Sequence, residues 1–249
     1  MSGHSKWSTI KHKKGAADAR RSKVFTKLIK EVTVAARIGG ADINGNPRLR
    51  KAVAEARNAN MPGDNIDRAI KKGTGELEGV SFEEVVYEAY GPGGVAVLME
   101  LMTDNRNRTV AEIRHVLERY GAKLATSGAV SRLFHKRGVI VLDGTKASED
   151  RVMELSLELG ADDVRAAGRD FEVLVDPGHL ETVRQGFEKA GLLPQSAEVA
   201  TIPESSVWLD GPAAQSMLKL MAALEDHDDV QHVYANFDID DDVMERFSA

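Results

Sequence analysis

The residues best suited to chemistry in this sequence are cations, and they crowd one end of it. Lys6, Lys11, Lys13 and Lys14 stand within the first 15 residues beside His4, Trp7 and His12, and Arg20, Arg21, Lys23, Lys27 and Lys30 follow at near-helical spacing. Asp18 is the sole acid among residues 1–30. Ammonium and guanidinium groups at this density neutralise backbone phosphates and release the counterions condensed on them, which requires no reading of bases. A merely solvated helix face mixes signs, because like charges four residues apart repel. The pattern therefore predicts a polyanion site. Trp7 reads as the apolar anchor of the arm, with base stacking as its other use. His12 is a polar member of the arm that gains charge at lower pH.

No other constellation points to catalysis. Gly91-Pro92-Gly93-Gly94 lacks the Gly-Lys-Ser/Thr ending of a phosphate loop and reads as a turn. Arg106 and Arg108 open a helix at the end where the macrodipole disfavours cations, so they are expected to meet an anion or an acidic neighbouring domain. His227, Asp228, Asp229 and His232 cross a helix–strand junction without the spacing of a metal site, and no metal is expected there. Glu83, Glu84 and Glu88 lie around strand edges with no acid–base pairing, and Asp238, Asp240, Asp241 and Asp242 read as a solvated tail. No nucleophile, base and orienter come together. The expectation is a non-enzymatic protein with no cofactor and no small-molecule substrate.

Charge sharpens this. The net value of −6 hides 17 Lys/Arg against 6 Asp/Glu in residues 1–75 and 16 against 33 in the remainder. An acidic body repels polyanions, which confines nucleic acid to the basic end. A chain of 249 residues predicts two or three domains. Absence of cysteine excludes disulfides and thiolate metal sites and fits a reducing compartment. No apolar run reaches the roughly 18 residues that span a bilayer, and no apolar stretch follows the basic N-terminus as in a secretory signal. A cytoplasmic protein with no membrane partner is expected, monomeric because no heptad repeat is present.

The elements that must position these residues follow from periodicity. In residues 16–38, Phe25, Leu28, Ile29, Val32 and Ala36 share one helix face, and Arg20, Lys23, Lys27 and Lys30 form a stripe on the opposite, solvent side. Gly39-Gly40 ends this helix. A second opens on Asn46-Pro47, buries Leu49, Ala52, Val53 and Ala56, and presents Arg50, Lys51 and Arg57 to solvent. A third, capped by Asp64, points Ile66, Ala69 and Ile70 inward and stops at Gly73. Residues 48–72 thus resemble a loose helix-turn-helix without a row of base-reading side chains. Strands at 85–90 and 95–102, a helix opened by Asp104 and carrying Val110, Ile113, Leu117 and Tyr120, and a strand at 129–134 come next. Residues 138–202 read strand, helix, two strands, helix, strand, the ferredoxin-like order. A helix at 213–224 and a strand at 230–237 are expected to return to the sheet begun at residue 85. The fold class is α+β: a three-helix domain (1–75), then two ferredoxin-like α/β domains, the second (136–204) inserted into the first (80–135 with 205–240).

Several segments together resemble the YebC/PmpR family. They are Gly3-His4-Ser5-Lys6-Trp7, Ile10-Lys11-His12-Lys13-Lys14, Phe25-Thr26-Lys27-Leu28-Ile29, Asn46-Pro47-Arg48-Leu49-Arg50, Asn60-Met61-Pro62, Tyr90-Gly91-Pro92-Gly93-Gly94, the stretch 104–109, and Asp228-Asp229-Val230-Gln231. The resemblance implies a three-domain α/β protein of the kind described as a probable DNA-binding transcriptional regulator, its basic domain falling on Lys6, Lys11, Lys13, Lys14, Arg20, Arg21, Lys23 and Lys27. It also implies a rival role on RNA. Mitochondrial relatives are translational activators of cytochrome c oxidase, and bacterial members are connected to the ribosome, where the same surface would meet ribosomal RNA. The family motif begins at Gly3, so no mitochondrial presequence is expected.

Overall fold

The computed structural model describes residues 17–240 together with 243 and 247, and only the backbone of residues 17–20. Three helices come first: α1 (Ala17–Gly39), α2 (Pro47–Asn58) and α3 (Gly63–Thr74). The Asn46 side chain accepts the Leu49 N–H at the start of α2, and Pro47 occupies the first turn, where a missing donor costs nothing. The amide of Asn46 also donates to the carbonyls of Ala35 and Gly40, so the cap of one helix ties down the end of another. Asp64 does not cap α3. Pro62 holds that position without a side-chain bond, and Asp64 lies in the first turn, facing the positive end of the macrodipole.

The third helix also runs through Gly73 and ends at Gly75, in the left-handed region at φ 82°. Gly73 serves packing instead. A Cβ there would stand 2.3 Å from the Thr33 carbonyl oxygen, so α1 and α3 meet backbone to backbone. Leu49, Ala52, Val53 and Ala56 are buried on α2 as the periodicity requires, against Val32, Ala35 and Ala36 of α1 and Ile66 and Ala69 of α3.

Two four-stranded antiparallel sheets follow. The first has the order β3-β1-β2-β9 and comprises β1 (Glu83–Tyr90), β2 (Ala96–Thr103), β3 (Lys123–Leu124) and β9 (Val230–Ala235). Its hairpin turns through Gly93 and Gly94, both at positive φ, as the glycine run predicts. Helices α4 (Arg106–Arg119) and α7 (Gly211–Glu225) share its core, with Met99, Leu101, Ile113, Leu117, Met217 and Leu220 fully enclosed. The second sheet is inserted between β3 and α7. It has the order β5-β6-β4-β7, from β4 (Phe134–Leu142), β5 (Asp163–Ala167), β6 (Asp170–Val175) and β7 (Ser196–Pro203), with α5 (Glu149–Glu158) and α6 (Leu180–Lys189) completing the βαββαβ unit. Short strands β8 (Val207–Trp208) and β10 (Phe237–Asp238) pair in parallel.

The strand expected at 129–134 does not form. Phe134 is the first residue of β4, and the segment before it is a turn ending in a single 3-10 turn at Ser131–Leu133, held by one side chain. Glu88, 5% exposed, accepts the N–H groups of Gly128 (2.7 Å), Val130 (2.6 Å) and Ser131 (3.0 Å). A carboxylate thereby satisfies donors that a ladder would otherwise have taken. Burial alone would raise the Glu88 pKa, but the three backbone donors outweigh it and hold the group below its ordinary value.

Candidate nucleic-acid interface

The lysine stripe of α1 does not face solvent. Lys23 Nζ lies 2.5 Å from an Asp226 carboxylate oxygen and 3.1 Å from the Asp226 carbonyl, and Lys27 Nζ donates to the Glu225 carbonyl at 2.6 Å. Both lysines therefore sit at the C-terminal end of α7, where unpaired carbonyls carry the negative pole of the macrodipole. Lys30, 6% exposed, goes deeper. It pairs with Asp229 at 2.5 Å and donates to the carbonyls of Asp228 (2.9 Å) and Met102 (3.3 Å). Lys23, Lys27 and Lys30 are thus engaged by the acidic body, and the expectation that they present an open phosphate surface is corrected for this arrangement.

Asp229 is the hub of that seam. Besides Lys30 it accepts from Arg108 at 2.8 Å and from the Thr109 hydroxyl at 2.7 Å, both at the start of α4. Burial would raise its pKa, yet bonds from Lys30, Thr109 and Arg108 hold it well below the usual carboxylate range. The two arginines that the macrodipole disfavours are also accounted for. Arg108 pairs with Asp229 and Asp104, and Arg106 pairs with Glu83 at 2.5 Å. These acids belong to the arginines' own sheet domain, so the expected contact with an acidic neighbouring domain is not what holds them. The cap of α4 is Asn105, which accepts the Arg108 N–H at 3.0 Å, rather than Asp104.

Other side chains join the seam without the sequence having assigned them a contact there. Arg48 bridges Glu31 of α1 (2.8 Å) and Glu84 of β1 (2.7 Å), and Arg37 donates to the Ser81 hydroxyl at 2.7 Å. One signal was available. Val34 continues the stripe of Lys23, Lys27 and Lys30 by one helical turn and is 1% exposed, an apolar residue where a solvated stripe would carry a polar one.

Of the cations expected to bind, those left open lie on the other side of the helical domain, and Lys71 and Lys72 in the last turn of α3 are exposed as well. Arg50, Lys51 and Arg57 are all exposed on the outer face of α2, around the small exposed Ala54. Lys51 has one acid near it, Glu55 at 3.8 Å, and Arg50 reaches the Asn44 carbonyl at 3.1 Å. Arg21 stacks over Phe25, 5.3 Å from the ring centroid, and reaches the Asn60 carbonyl in the turn after α2 at 3.4 Å. Lys6, Trp7, Lys11, His12, Lys13 and Lys14 lie outside the described residues, as does the side chain of Arg20.

A cleft of about 590 Å³ opens along the seam, bordered by Lys23, Thr26, Asp104, Glu112, Asp226 and His227. Glu112, His227 and Asp229 offer ligand atoms within 4.8 Å of one another. Those atoms are spent within the protein. His227 Nδ1 accepts the Asp229 N–H at 3.1 Å, its Nε2 stands 3.1 Å from Glu112, and both Asp229 oxygens hold cations or a hydroxyl. His232 lies apart, stacked on Tyr234 with centroids 6.1 Å apart.

Residues 5–76 match the family model of the TACO1/YebC protein N-terminal domain, and residues 82–237 that of the TACO1/YebC second and third domain. A probable transcriptional regulatory protein of Geobacter sulfurreducens is 61% identical over 246 residues, covering 99% of each chain. Another, from Syntrophus aciditrophicus, is 57% identical over 250 residues and covers 100% of both. The crystal structure of a conserved hypothetical protein from Aquifex aeolicus superposes with a TM-score of 0.74 at 48% identity, over 93% of this chain and 96% of that one. With the helical domain, the two sheets and the inserted unit all matched along their length, the chain belongs to the TACO1/YebC family.

Proposed function

We propose that this protein is a nucleic-acid-binding regulator of gene expression, a DNA-binding transcriptional regulator in the first reading, and that it meets the phosphate backbone through the outer face of α2. The carrying observation is the open basic surface of Arg50, Lys51 and Arg57 on a helix whose opposite face is the domain core. Arg21 at one end of that helix extends the positive field. The names of the relatives favour the same reading. The acidic body keeps the polyanion at this end of the molecule. On this reading the protein acts by binding rather than catalysis, in the cytoplasm and as a monomer.

A second reading is favoured by the chemistry of that face. Two arginines and a lysine make phosphate contacts readily but, set around Ala54, supply no ordered row of base readers, which suits structured RNA recognised by shape, such as ribosomal RNA. The test is Arg50→Glu with Arg57→Glu, measured by fluorescence anisotropy against a labelled DNA duplex and a labelled ribosomal RNA hairpin. Binding should fall at least about tenfold, by the loss of two charge contacts. Wild-type affinity in the double variant rejects the α2 face. Preference for the duplex or the hairpin then separates the two readings, and co-sedimentation with ribosomes that vanishes at high salt supports RNA.

A further inference from the structure

The seam between α1 and the body has an unusual composition. Its bonds run from long, flexible cationic side chains to carboxylates and to main-chain carbonyls, and they become more exposed toward one end. The Lys30 and Asp229 side chains are 8% and 5% exposed, whereas those of Lys23 and Asp226 are 40% and 68%. Between the helical domain and β1, residues 74–81 are exposed throughout and include Gly75 and Gly79, so little packing resists rotation there. A polar seam beside an exposed, glycine-bearing connection describes a joint that can open.

What the seam covers is equally telling. Lys23, Lys27 and Lys30 stand within about 11 Å along α1, at 1.5 Å per residue, and their partners are anionic oxygens and the negative pole of a helix. That is the bonding pattern a phosphate backbone would offer the same three ammonium groups.

We propose that the acidic end of the body is an intramolecular stand-in for nucleic acid. It latches the helical domain through Asp226 and Asp229 and conceals a second polyanion surface, Lys23–Lys27–Lys30, which nucleic acid gains when the joint opens. This rests on the nucleic-acid reading above and adds its regulation. In the latched state the polyanion has the outer face of α2 and Arg21. In the released state the α1 stripe joins, and the two faces grip from opposite sides of the bundle. Linkage follows: whatever weakens the latch tightens nucleic-acid binding, and bound nucleic acid favours release.

Because the chain has no cysteine, the joint can be locked and watched without background labelling. In Lys23→Cys with Asp226→Cys, a short bis-maleimide fixes the latch shut. In a separate variant, Asp67→Cys and Glu118→Cys carry spin labels, one in each domain, on exposed helical positions. Wild-type protein should bind a 20-base-pair duplex with a steeper salt dependence than the locked protein. The slope of log affinity against log salt should differ by about 0.9 for each lysine released, or about 2.7 for Lys23, Lys27 and Lys30 together. The uncrosslinked double-cysteine protein, which lacks Lys23, should fall between the two, about 2 steeper than the locked protein through Lys27 and Lys30. Adding duplex to the spin-labelled protein should transfer population to longer distances. Asp226→Asn alone, at the exposed end where folding is least threatened, should raise affinity, and in a Lys23→Ala protein, where that pair is already broken, Asp226→Asn should give no further gain.

Equal slopes for locked and unlocked protein, with distances that ignore the duplex, overturn the latch. So does a gain from Asp226→Asn that survives Lys23→Ala, because it would then be a general effect of charge. These outcomes leave the α2 reading intact whenever the locked protein still binds and loses binding on Arg50→Glu with Arg57→Glu. A wild-type protein that binds neither duplex nor RNA overturns both.

Discussion

Lys30 of α1 and Asp229 immediately before β9, 199 positions apart in the chain, form a buried ion pair that joins the basic domain to the acidic body. Few residues are as costly to leave alone. An ammonium enclosed without its carboxylate keeps its desolvation penalty and loses the compensating attraction. Asp229→Ala should therefore destabilise the protein by about 3–5 kcal/mol. Lys30→Met should cost less, since Asp229 retains Arg108 and Thr109. Urea unfolding decides this, and a larger loss for Lys30→Met would contradict the hub role of Asp229.

The half-exposed bridge of Arg48 to Glu31 and Glu84 is a contrasting case. Solvent screens these charges, and such pairs contribute roughly 0.2–1 kcal/mol each. Arg48→Ala should shift the urea midpoint only slightly. A loss comparable to that of Asp229→Ala would mean that the connection near β1, rather than the Asp229 hub, carries the seam.

Acid should act through Asp229 and Glu88, both of which are held below their ordinary values. A carboxylate depressed in the folded state contributes stability that is present above its unfolded value and lost as pH falls through the folded one. Stability should thus hold from pH 7 to about 5 and decline below about 4. Glu88→Gln removes one of the two groups and should flatten that decline, while faster amide exchange at Val130 reports the loosened loop. An unaltered pH profile in this variant would show that the three N–H bonds of Glu88 do not outweigh its burial.

Gly73 sets two effects against each other. Alanine is favoured over glycine in a helix interior by about 1 kcal/mol. The added Cβ, however, would lie 2.3 Å from a backbone oxygen, and backbone cannot step aside as a side-chain tip can. Overpacking of this kind costs about 1–3 kcal/mol, so Gly73→Ala should be net destabilising. A raised melting temperature would show that α1 and α3 separate more readily than their contact implies.

Much of the fold was legible because it is written in local periods. The apolar set of α2, the Asn46-Pro47 start, the Gly-Pro-Gly-Gly hairpin and the βαββαβ order of the inserted unit each depend on residues within a few positions of one another. The strand expected at 129–134 failed for the opposite reason. Its N–H groups are claimed by Glu88, some 40 residues earlier, and β-rich composition carries no sign of such a partner.

The same division runs through the candidate site. The sequence alone determined that positive charge gathers in the first 75 residues, that the lysines of α1 share one side, and that Arg50, Lys51 and Arg57 point outward. Helical period assigns a residue to a face but says nothing of what lies against that face. Only the tertiary structure brought residues 225–229 onto α1, because the acids that capture Lys23, Lys27 and Lys30 reach them through the return of the chain to its first sheet. Charge content was a property of sequence; which charges stay free was decided by contacts made across nearly the whole length of the chain.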